Sequence, residues 1–192
     1  LAVCMTVGED PTIESEFRAV EDVIRKWDAF VAKHQDVFVK VTTAAELDAA
    51  KTSGRVGFIY NFQNTTPFGW DLTKLDAFVA MGVRQIQLSH DRRNYVADSG
   101  REPANAGLSR FGHEVVEALD RHRVLIDLSH VGERSGLDAI LASRRPAIYS
   151  HSGCYALCPH PRNVSDRNIR VLGEKGGVFC VYNQSAWLTP DP

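Results

Sequence analysis

The sequence predicts an α/β fold built on parallel strands, and two observations support that prediction. Short apolar runs alternate with longer amphipathic stretches along the 192-residue chain. Because parallel strands need crossover connections, which are usually helices, this alternation is typical of successive βα units. In addition, polar side chains collect where the predicted strands end, which is typical of a barrel whose strands converge on one mouth.

The predicted elements follow one another in regular order. Six apolar runs are predicted as strands: Leu1–Val7, Arg55–Phe62, Val83–Leu88, Val124–Leu128, Ala147–Ser150 and Val178–Tyr182. Polar caps and glycines delimit the helices between them. These are a long helix after Asp10-Pro11-Thr12 ending near Lys33, Thr43–Lys51, Asp71–Met81 stopped by Gly82, a helix opened by Leu108-Ser109 and ending at His122, a shorter helix ended by Asp138–Ser143, and a last helix capped by Ser165-Asp166 and stopped by Gly176-Gly177.

The strand count and the first turn decide between two architectures. Eight right-handed βα units close into a barrel, and the six predicted strands are two short of that number. An open doubly wound sheet is the alternative, but it predicts a glycine-rich phosphate turn after the first strand, and Gly8-Glu9-Asp10 is not such a turn. We therefore expect one domain over residues 1–192 that forms part of a barrel.

Composition excludes several classes of partner. Lys and Arg number 22 against 24 Asp and Glu, so the formal charge is -2 and no basic field exists to hold nucleic acid or an anionic membrane. No apolar run reaches the roughly 18 residues that span a bilayer. The four cysteines are too few for a disulfide scaffold, and the spacing of Cys154 and Cys158 predicts small buried thiols rather than a zinc knuckle.

Polar residues follow most predicted strands, and three successive strands end in a histidine. The polar strand ends are Asn61-Phe-Gln-Asn64, Ser89-His90-Asp91, Ser129-His130, Ser150-His151-Ser152 and Asn183-Gln184. In a barrel, His90, His130 and His151 would face a common point despite their separation along the chain. Neutral imidazole is the commonest protein ligand for a divalent metal, so the pattern predicts a metal site.

A histidine after a strand has an ordinary alternative role, because such residues are more often hydrogen-bonded loop residues than ligands. The placement of three of them in register is what favours metal binding. The other histidines show no such placement. His34, His113 and His122 fall on or at the ends of predicted helices, and His160 lies in the turn Cys-Pro-His-Pro-Arg.

Several stretches of the sequence form recognisable motifs: Gly82-Val-Arg84 through Leu88-Ser-His90, Leu108-Ser-Arg-Phe-Gly-His-Glu-Val-Val116, Leu125-Ile-Asp-Leu-Ser-His-Val131, Ser150-His-Ser-Gly-Cys-Tyr-Ala-Leu-Cys158, Pro161-Arg-Asn163 and Gly176-Gly-Val178. Together they resemble the membrane (renal) dipeptidase family, peptidase family M19, of amidohydrolase-like metallohydrolases. They cover roughly residues 56 to 183, in order and with family-like spacing. Chance would rarely produce such a match.

The resemblance implies a TIM-like barrel with a two-zinc site that hydrolyses dipeptides. By that resemblance His130 and His151 bind one of the zinc ions, and His90 contacts the substrate. Arg162 holds the carboxylate of the dipeptide, and Asn163 stands beside it. Two metals can activate a water and polarise the scissile carbonyl, and the planar fork of arginine suits a carboxylate.

One departure from the family pattern concerns the metal bridge. The family has a bridging glutamate in a Glu-Gly-Gly turn, and Gln63 stands at the corresponding position. A neutral amide supplies no charge to offset the repulsion between two dications. Three alternatives remain open here: the site binds one metal, another group replaces the carboxylate, or Gln63 hydrogen-bonds a ligand or a water.

A second departure is the absence of two family motifs. The His-x-Asp pair that binds the other zinc and the catalytic aspartate of the last strand do not occur in this sequence. Matching Leu1–Val7 to the second family strand and Val178–Tyr182 to the seventh leaves out the first and eighth strands. The sequence thus corresponds to about six of eight barrel strands, with no catalytic residue assigned.

Two functions are expected from these observations. The first is a metal-dependent dipeptidase-like hydrolase acting on dipeptides or related amides with a free carboxylate. This chain would be an internal portion of it, with negligible peptidase activity alone. The second is a non-hydrolytic binding or maturation protein that kept the barrel and lost the two-metal centre, and Gln63 favours it. A homodimer is compatible with either, and no segment indicates a compartment.

Overall fold

The computed structural model describes residues 1–5 and 13–188, with the backbone alone for residues 13–15. Contacts along the chain group into two compact units, Leu1–Ile86 and Gln87–Pro192. The predicted turn Gly8-Glu9-Asp10 and the end of the predicted strand Leu1–Val7 lie outside the described residues. The prediction of a single domain stays a prediction.

Parallel pairing around one central strand organises the first unit. Its strands are β1 (Ala2–Cys4), β2 (Phe38–Lys40), β3 (Val56–Phe62) and β4 (Val83–Gln87), the last residue of which belongs to the second unit. The helices are α1 (Ile13–Lys33), α2 (Ala44–Thr52) and α3 (Leu72–Ala80), and a short 3-10 turn covers Thr66–Phe68. Strand β3 pairs in parallel with β1, β2 and β4, so helices can provide the crossovers that parallel strands need.

Side-chain caps begin two helices of the first unit at the predicted places. Thr43 and Glu46 form a reciprocal capping box at the start of α2. Asp71 accepts a hydrogen bond from the backbone of Thr73 at 2.9 Å and caps α3. That helix ends before Gly82, whose φ of 96° is a left-handed conformation that glycine adopts without steric cost.

The second unit is organised around β6. Its strands are β5 (Leu125–Asp127), β6 (Ile148–Cys154), β7 (Asn163–Val164) and β8 (Val178–Val181), and its helices are α4 (Arg110–His122), α5 (Glu133–Ala142) and α6 (Asp166–Glu174). A second 3-10 turn covers Ser185–Trp187. Strand β6 pairs in parallel with β5, β7 and β8. All strand pairs described in the two units are therefore parallel, as the sequence predicts.

Caps in the second unit also follow the sequence. Ser109 caps α4 through the backbone N–H of Gly112 at 2.9 Å, and Ser165 caps α6 through that of Asn168 at 3.2 Å. Helix α5 has no side-chain cap, since it begins at Glu133 after Gly132. Its start therefore lacks a sequence signal.

The structure corrects the predicted strand that contains His151. The apolar run predicts a strand over Ala147–Ser150, but β6 continues to Cys154. Its last residues pair with β7, a two-residue strand that no apolar run announces, through Gly153 and Asn163. His151 thus lies within a strand rather than after one.

Two further observations concern the cysteines and the hydropathy of the helices. All four cysteines are free, with Cys158 buried, Cys154 partly buried, and Cys4 and Cys180 exposed. The described helices include none that is both long and apolar enough to cross a membrane.

Candidate metal centre

His130 occupies an unusual backbone position three residues after the end of β5. Its φ of 66° lies in the left-handed region, which is uncommon for a residue other than glycine. Its carbonyl oxygen accepts a hydrogen bond of 2.7 Å from the backbone N–H of Gly100. The side chain is only 8% exposed. The turn after β5 therefore directs this imidazole into the protein and holds it there.

The structure brings together the three histidines that the sequence singles out. The rings of His90 and His130 are stacked, with centroids 4.0 Å apart. The Nε2 atoms of His130 and His151 lie 3.0 Å apart, and these two rings meet edge to face. The expected convergence of the three histidines on a common point is thus observed, although the role of each histidine stays a prediction.

Asp91 joins this cluster, and the sequence reasoning assigned it no role. Its Oδ1 atom lies 3.1 Å from Nδ1 of His130 and 3.4 Å from Nε of Arg101. Burial raises the pKa of the Asp91 carboxyl, but the hydrogen bond from His130 and the nearby positive charges outweigh burial and lower that pKa overall. The available signal was its position directly after His90.

Both histidines that face each other are held neutral. Burial, with smaller contributions from the neighbouring Arg162 and His90, lowers the pKa of His130 to about 3. Burial also lowers the pKa of His151, while the charge of Asp127 opposes that change. At neutral pH both imidazoles are therefore uncharged, which is the form that binds metals.

The spacing of the facing nitrogens fits a shared cation. Two nitrogen ligands of one zinc ion, each about 2.0–2.1 Å from it, lie about 2.8–3.4 Å apart at angles of about 90–110°. The observed distance between Nε2 of His130 and Nε2 of His151 is 3.0 Å. The same distance also fits a hydrogen bond, if one of the two nitrogens carries a proton.

Arg162 is a buried cation next to the histidines. Only 3% of it is exposed, and its Nη2 donates to the carbonyl oxygen of His151 at 3.4 Å. Its guanidinium lies over the ring of Trp187 at 5.3 Å from the centroid. Among the described residues, Nε and Nη1 of Arg162 have no hydrogen-bond partner. Burial lowers its pKa to about 10, so it stays charged at neutral pH.

A cleft of about 360 Å³ opens within the second unit beside these groups. His130, Ser152, Tyr155, Arg162 and Asn168 are among the residues that line it. Many of the lining residues are polar or charged, and apolar side chains such as Leu128 and Val131 lie between them. The neutral imidazole of His130 and the charged guanidinium of Arg162 thus border the same space.

Comparison with known proteins shows which family this chain belongs to. The sequence model of the membrane dipeptidase family, peptidase family M19, matches residues 2–192. The chain belongs to this family.

Individual family relatives are similar over most of this chain. Dipeptidase aclJ from Aspergillus oryzae is 29% identical over 185 residues, which are 93% of this chain and 43% of that protein. The structure of the probable dipeptidase PvdM from Pseudomonas aeruginosa matches with a TM-score of 0.92 at 27% identity, over 98% of this chain and 51% of that one. An amidohydrolase from Pseudomonas aeruginosa matches with a TM-score of 0.84 at 30% identity, over 94% and 53%.

These matches establish the fold of the chain and the share of its relatives' length that it covers. The chain has the α/β fold of an incomplete TIM-like barrel, as the sequence predicts. It spans about half the length of the two solved relatives and less than half of the curated one.

A metallopeptidase family implies a metal cofactor, and the second unit offers two overlapping donor sets. Nδ1 or Nε2 of His90 and His130 and a carboxylate oxygen of Asp91 lie within 4.8 Å of one another, which makes them a candidate metal-binding cluster. The family resemblance instead points to His130 with His151. His130 is common to both sets. Its Nδ1 faces Asp91 and its Nε2 faces His151.

Two other predicted site residues have definite surroundings. Gln63 follows β3 in the first unit and is partly buried, and its role at the position of the bridging glutamate stays a prediction. The amide nitrogen of Asn163 donates to the carbonyl oxygens of Cys158 and Trp187, both at 2.8 Å, while its amide oxygen accepts a hydrogen bond from Tyr182. Asn163 therefore secures the loop around Arg162, and its predicted contact with substrate is untested.

Proposed function

We propose that this chain is the portion of a metal-dependent dipeptidase-like hydrolase that contains one half of its active centre. The observation that supports this most directly is the pair of neutral imidazole nitrogens 3.0 Å apart, close to a buried arginine with unpaired donors. The family membership and the coverage of about half of each solved relative agree with it.

In this proposal His130 and His151 hold zinc through their Nε2 atoms. A bound zinc ion supplies the activation of water and the polarisation of the scissile carbonyl. Because Gln63 supplies no negative charge, we propose a single ion at this position rather than a bridged pair. The buried, neutral state of both imidazoles keeps their lone pairs available.

The substrate in this proposal is a dipeptide or related amide with a free carboxylate, and an acylated amino acid fits the same description. Arg162 would receive the carboxylate through Nε and Nη1, which have no partner among the described residues. A planar guanidinium can hold a carboxylate with two parallel hydrogen bonds. His90, partly exposed and stacked on His130, would contact the substrate beside it.

The test compares a dipeptide with its C-terminal amide as substrates of the full-length protein that contains this chain. We expect zinc-dependent hydrolysis of the dipeptide and a rise in KM of about tenfold or more in Arg162→Lys, because lysine lacks the two-pronged donor. The amide should not distinguish Arg162→Lys from the unchanged protein. Arg110→Lys, at a side chain that is 97% exposed, is the matched control.

A non-hydrolytic binding or maturation protein is the second candidate, and Gln63 favours it. The same preparation separates the two functions. Dipeptide binding without turnover at saturating zinc would support the second candidate and contradict the first. Turnover that is lost on chelation and restored by zinc would support the first.

A further inference from the structure

We infer that Asp127 and Ser150 are positioning residues that hold His151 in the tautomer with a proton on Nδ1 and a lone pair on Nε2. Neither residue belongs to the proposed set of metal or substrate contacts. They act through a chain of hydrogen bonds that begins at a buried carboxylate and ends at the imidazole.

The series of hydrogen bonds begins at Asp127, which is only 1% exposed. Its Oδ1 accepts hydrogen bonds from the backbone N–H groups of Ser129 at 3.0 Å and Ser150 at 3.1 Å. Its Oδ2 accepts a short hydrogen bond from the hydroxyl of Ser150. An ionised carboxylate can only accept, so the single hydroxyl proton of Ser150 points toward Asp127.

The direction of the hydrogen bond from Ser150 to Asp127 determines the direction of the bond between Ser150 and His151. The Oγ atom of Ser150 lies 2.7 Å from Nδ1 of His151. Since the serine proton is already donated to Asp127, Ser150 can only accept from the imidazole. Nδ1 of His151 must therefore carry the proton, and in a neutral ring Nε2 then carries none.

Ser129 closes the network from the other side. Its Oγ accepts the backbone N–H of His151 at 2.9 Å and lies 3.2 Å from Oγ of Ser150. A proton of Ser129 directed at Ser150 gives that hydroxyl one donated and two accepted hydrogen bonds, which is its full capacity. No reversed arrangement satisfies the same contacts while Asp127 is ionised.

The consequence is that His151 presents a lone pair to Nε2 of His130 at 3.0 Å. Partners that hold the second ring nitrogen of a metal-binding histidine fix its tautomer, and changing them typically costs about 10–100-fold in metal affinity. This effect on affinity rests on the proposed metal site. The tautomer itself does not, because it follows from hydrogen bonds within the protein.

The experiment measures the tautomer by long-range ¹H–¹⁵N NMR on the metal-free chain at neutral pH, with His151→Gln used to assign the signals. We expect His151 to show a protonated Nδ1 and an unprotonated Nε2. Asp127→Asn should reverse the direction of these hydrogen bonds, because an asparagine amide donates to Ser150 and the Ser150 hydroxyl then donates to Nδ1 of His151. An asparagine replacing an orienting aspartate selects the wrong histidine tautomer in this way.

Two further variants separate positioning from general stability. Ser150→Thr keeps the hydroxyl and should keep the Nδ1–H tautomer. Ser143→Ala removes the hydroxyl of a buried serine that donates to a carboxylate oxygen of Asp120 at 2.8 Å, and should leave the His151 signals unchanged. A zinc titration should show affinity lowered about 10–100-fold in Asp127→Asn and unchanged in Ser143→Ala.

The outcomes distinguish this inference from the proposed function. A proton on Nε2 of His151 in the unchanged chain, or a tautomer unaltered by Asp127→Asn, overturns the inference. An Nδ1–H tautomer that reverses in Asp127→Asn upholds it, even if the chain fails to bind zinc. That failure would count against the proposed metal site alone.

Discussion

At the scale of single residues, His130 has a partner on each ring nitrogen. Nδ1 lies 3.1 Å from Asp91 and Nε2 lies 3.0 Å from His151. A neutral imidazole has one proton, so only one of these contacts can be a hydrogen bond donated by His130. If His151 carries its proton on Nδ1, the contact to which His130 does not donate sets one hydrogen-bond acceptor against another. A cation at that contact resolves the conflict without protonating a buried ring.

The buried state of His130 predicts a pH dependence of stability. Its pKa is about 3 in the folded chain, against 6.5 for an unperturbed histidine. Between these values the unfolded chain binds a proton that the folded chain excludes. The free energy of unfolding should therefore fall as pH drops from about 6.5 toward 3, by at most about 1.4 kcal/mol per pH unit for this group.

The measurement is urea unfolding at pH 5 and pH 7 in the presence of a chelator. His130→Asn should lose less stability on acidification than the unchanged chain, and asparagine tolerates the left-handed backbone at this position. His113→Asn, at an exposed site on α4, should lose as much as the unchanged chain. Equal losses in all three proteins would refute the assigned role of His130.

The proximity of the three histidines was predictable because it depends on strand order, whereas the directions of the hydrogen bonds around them were not. His90, His130 and His151 each occur at or near the end of a predicted strand, and the structure brings them together. Asp127 and Ser150 lie 23 positions apart, and only the parallel pairing of β5 with β6 makes them neighbours. Sequence spacing alone contains no such signal.

At the scale of elements, helix starts were the most predictable feature. Thr43, Asp71, Ser109 and Ser165 all cap helices where the sequence places them. Strands β2 and β7 were not predicted, since they contain three and two residues and too few apolar positions to form a pattern. The length of β6 depends on β7, so it could not be read from the local sequence.

Two helical glycines should respond to alanine with opposite signs. In α4, a Cβ on Gly112 would lie 2.2 Å from the carbonyl oxygen of Val96, whereas in α6 a Cβ on Gly173 would meet nothing within 4 Å. Alanine normally stabilises a helix interior by roughly 0.5–1 kcal/mol relative to glycine. We expect that gain for Gly173→Ala and a loss of about 1–3 kcal/mol for Gly112→Ala.

Chemical unfolding of both variants, followed by circular dichroism, measures this pair. Each protein serves as the control for the other, because the substitution is identical and both sites are helical. A stabilising effect at Gly112 would mean that the backbone near Val96 is not as closely packed against α4 as described.

At the scale of the whole molecule, the family and the fold class were predictable, and the domain organisation is still a prediction. Motifs distributed from β3 to β8 identified the family, which the match over residues 2–192 confirms. The chain spans about half of each solved relative, so the activity of the complete protein remains a proposal. Gln63 distinguishes this chain from the family pattern that the resemblance describes.

The single-domain prediction can be tested by the cooperativity of unfolding. Trp27 and Trp70 belong to the first unit and Trp187 to the second. In Trp187→Phe the fluorescence reports on the first unit, and in the double variant Trp27→Phe/Trp70→Phe it reports on the second. For one domain each variant should show a fluorescence midpoint equal to its own far-ultraviolet circular dichroism midpoint. Separate midpoints in either variant would show that the two units unfold independently.

The most direct test of the central claim is an anomalous difference map from crystals of this chain grown with zinc. The account predicts one peak bonded to Nε2 of His130 and Nε2 of His151, each at about 2.0–2.1 Å. A peak instead at Nδ1 of His130 together with His90 and Asp91, or no peak at any of these side chains, would contradict it.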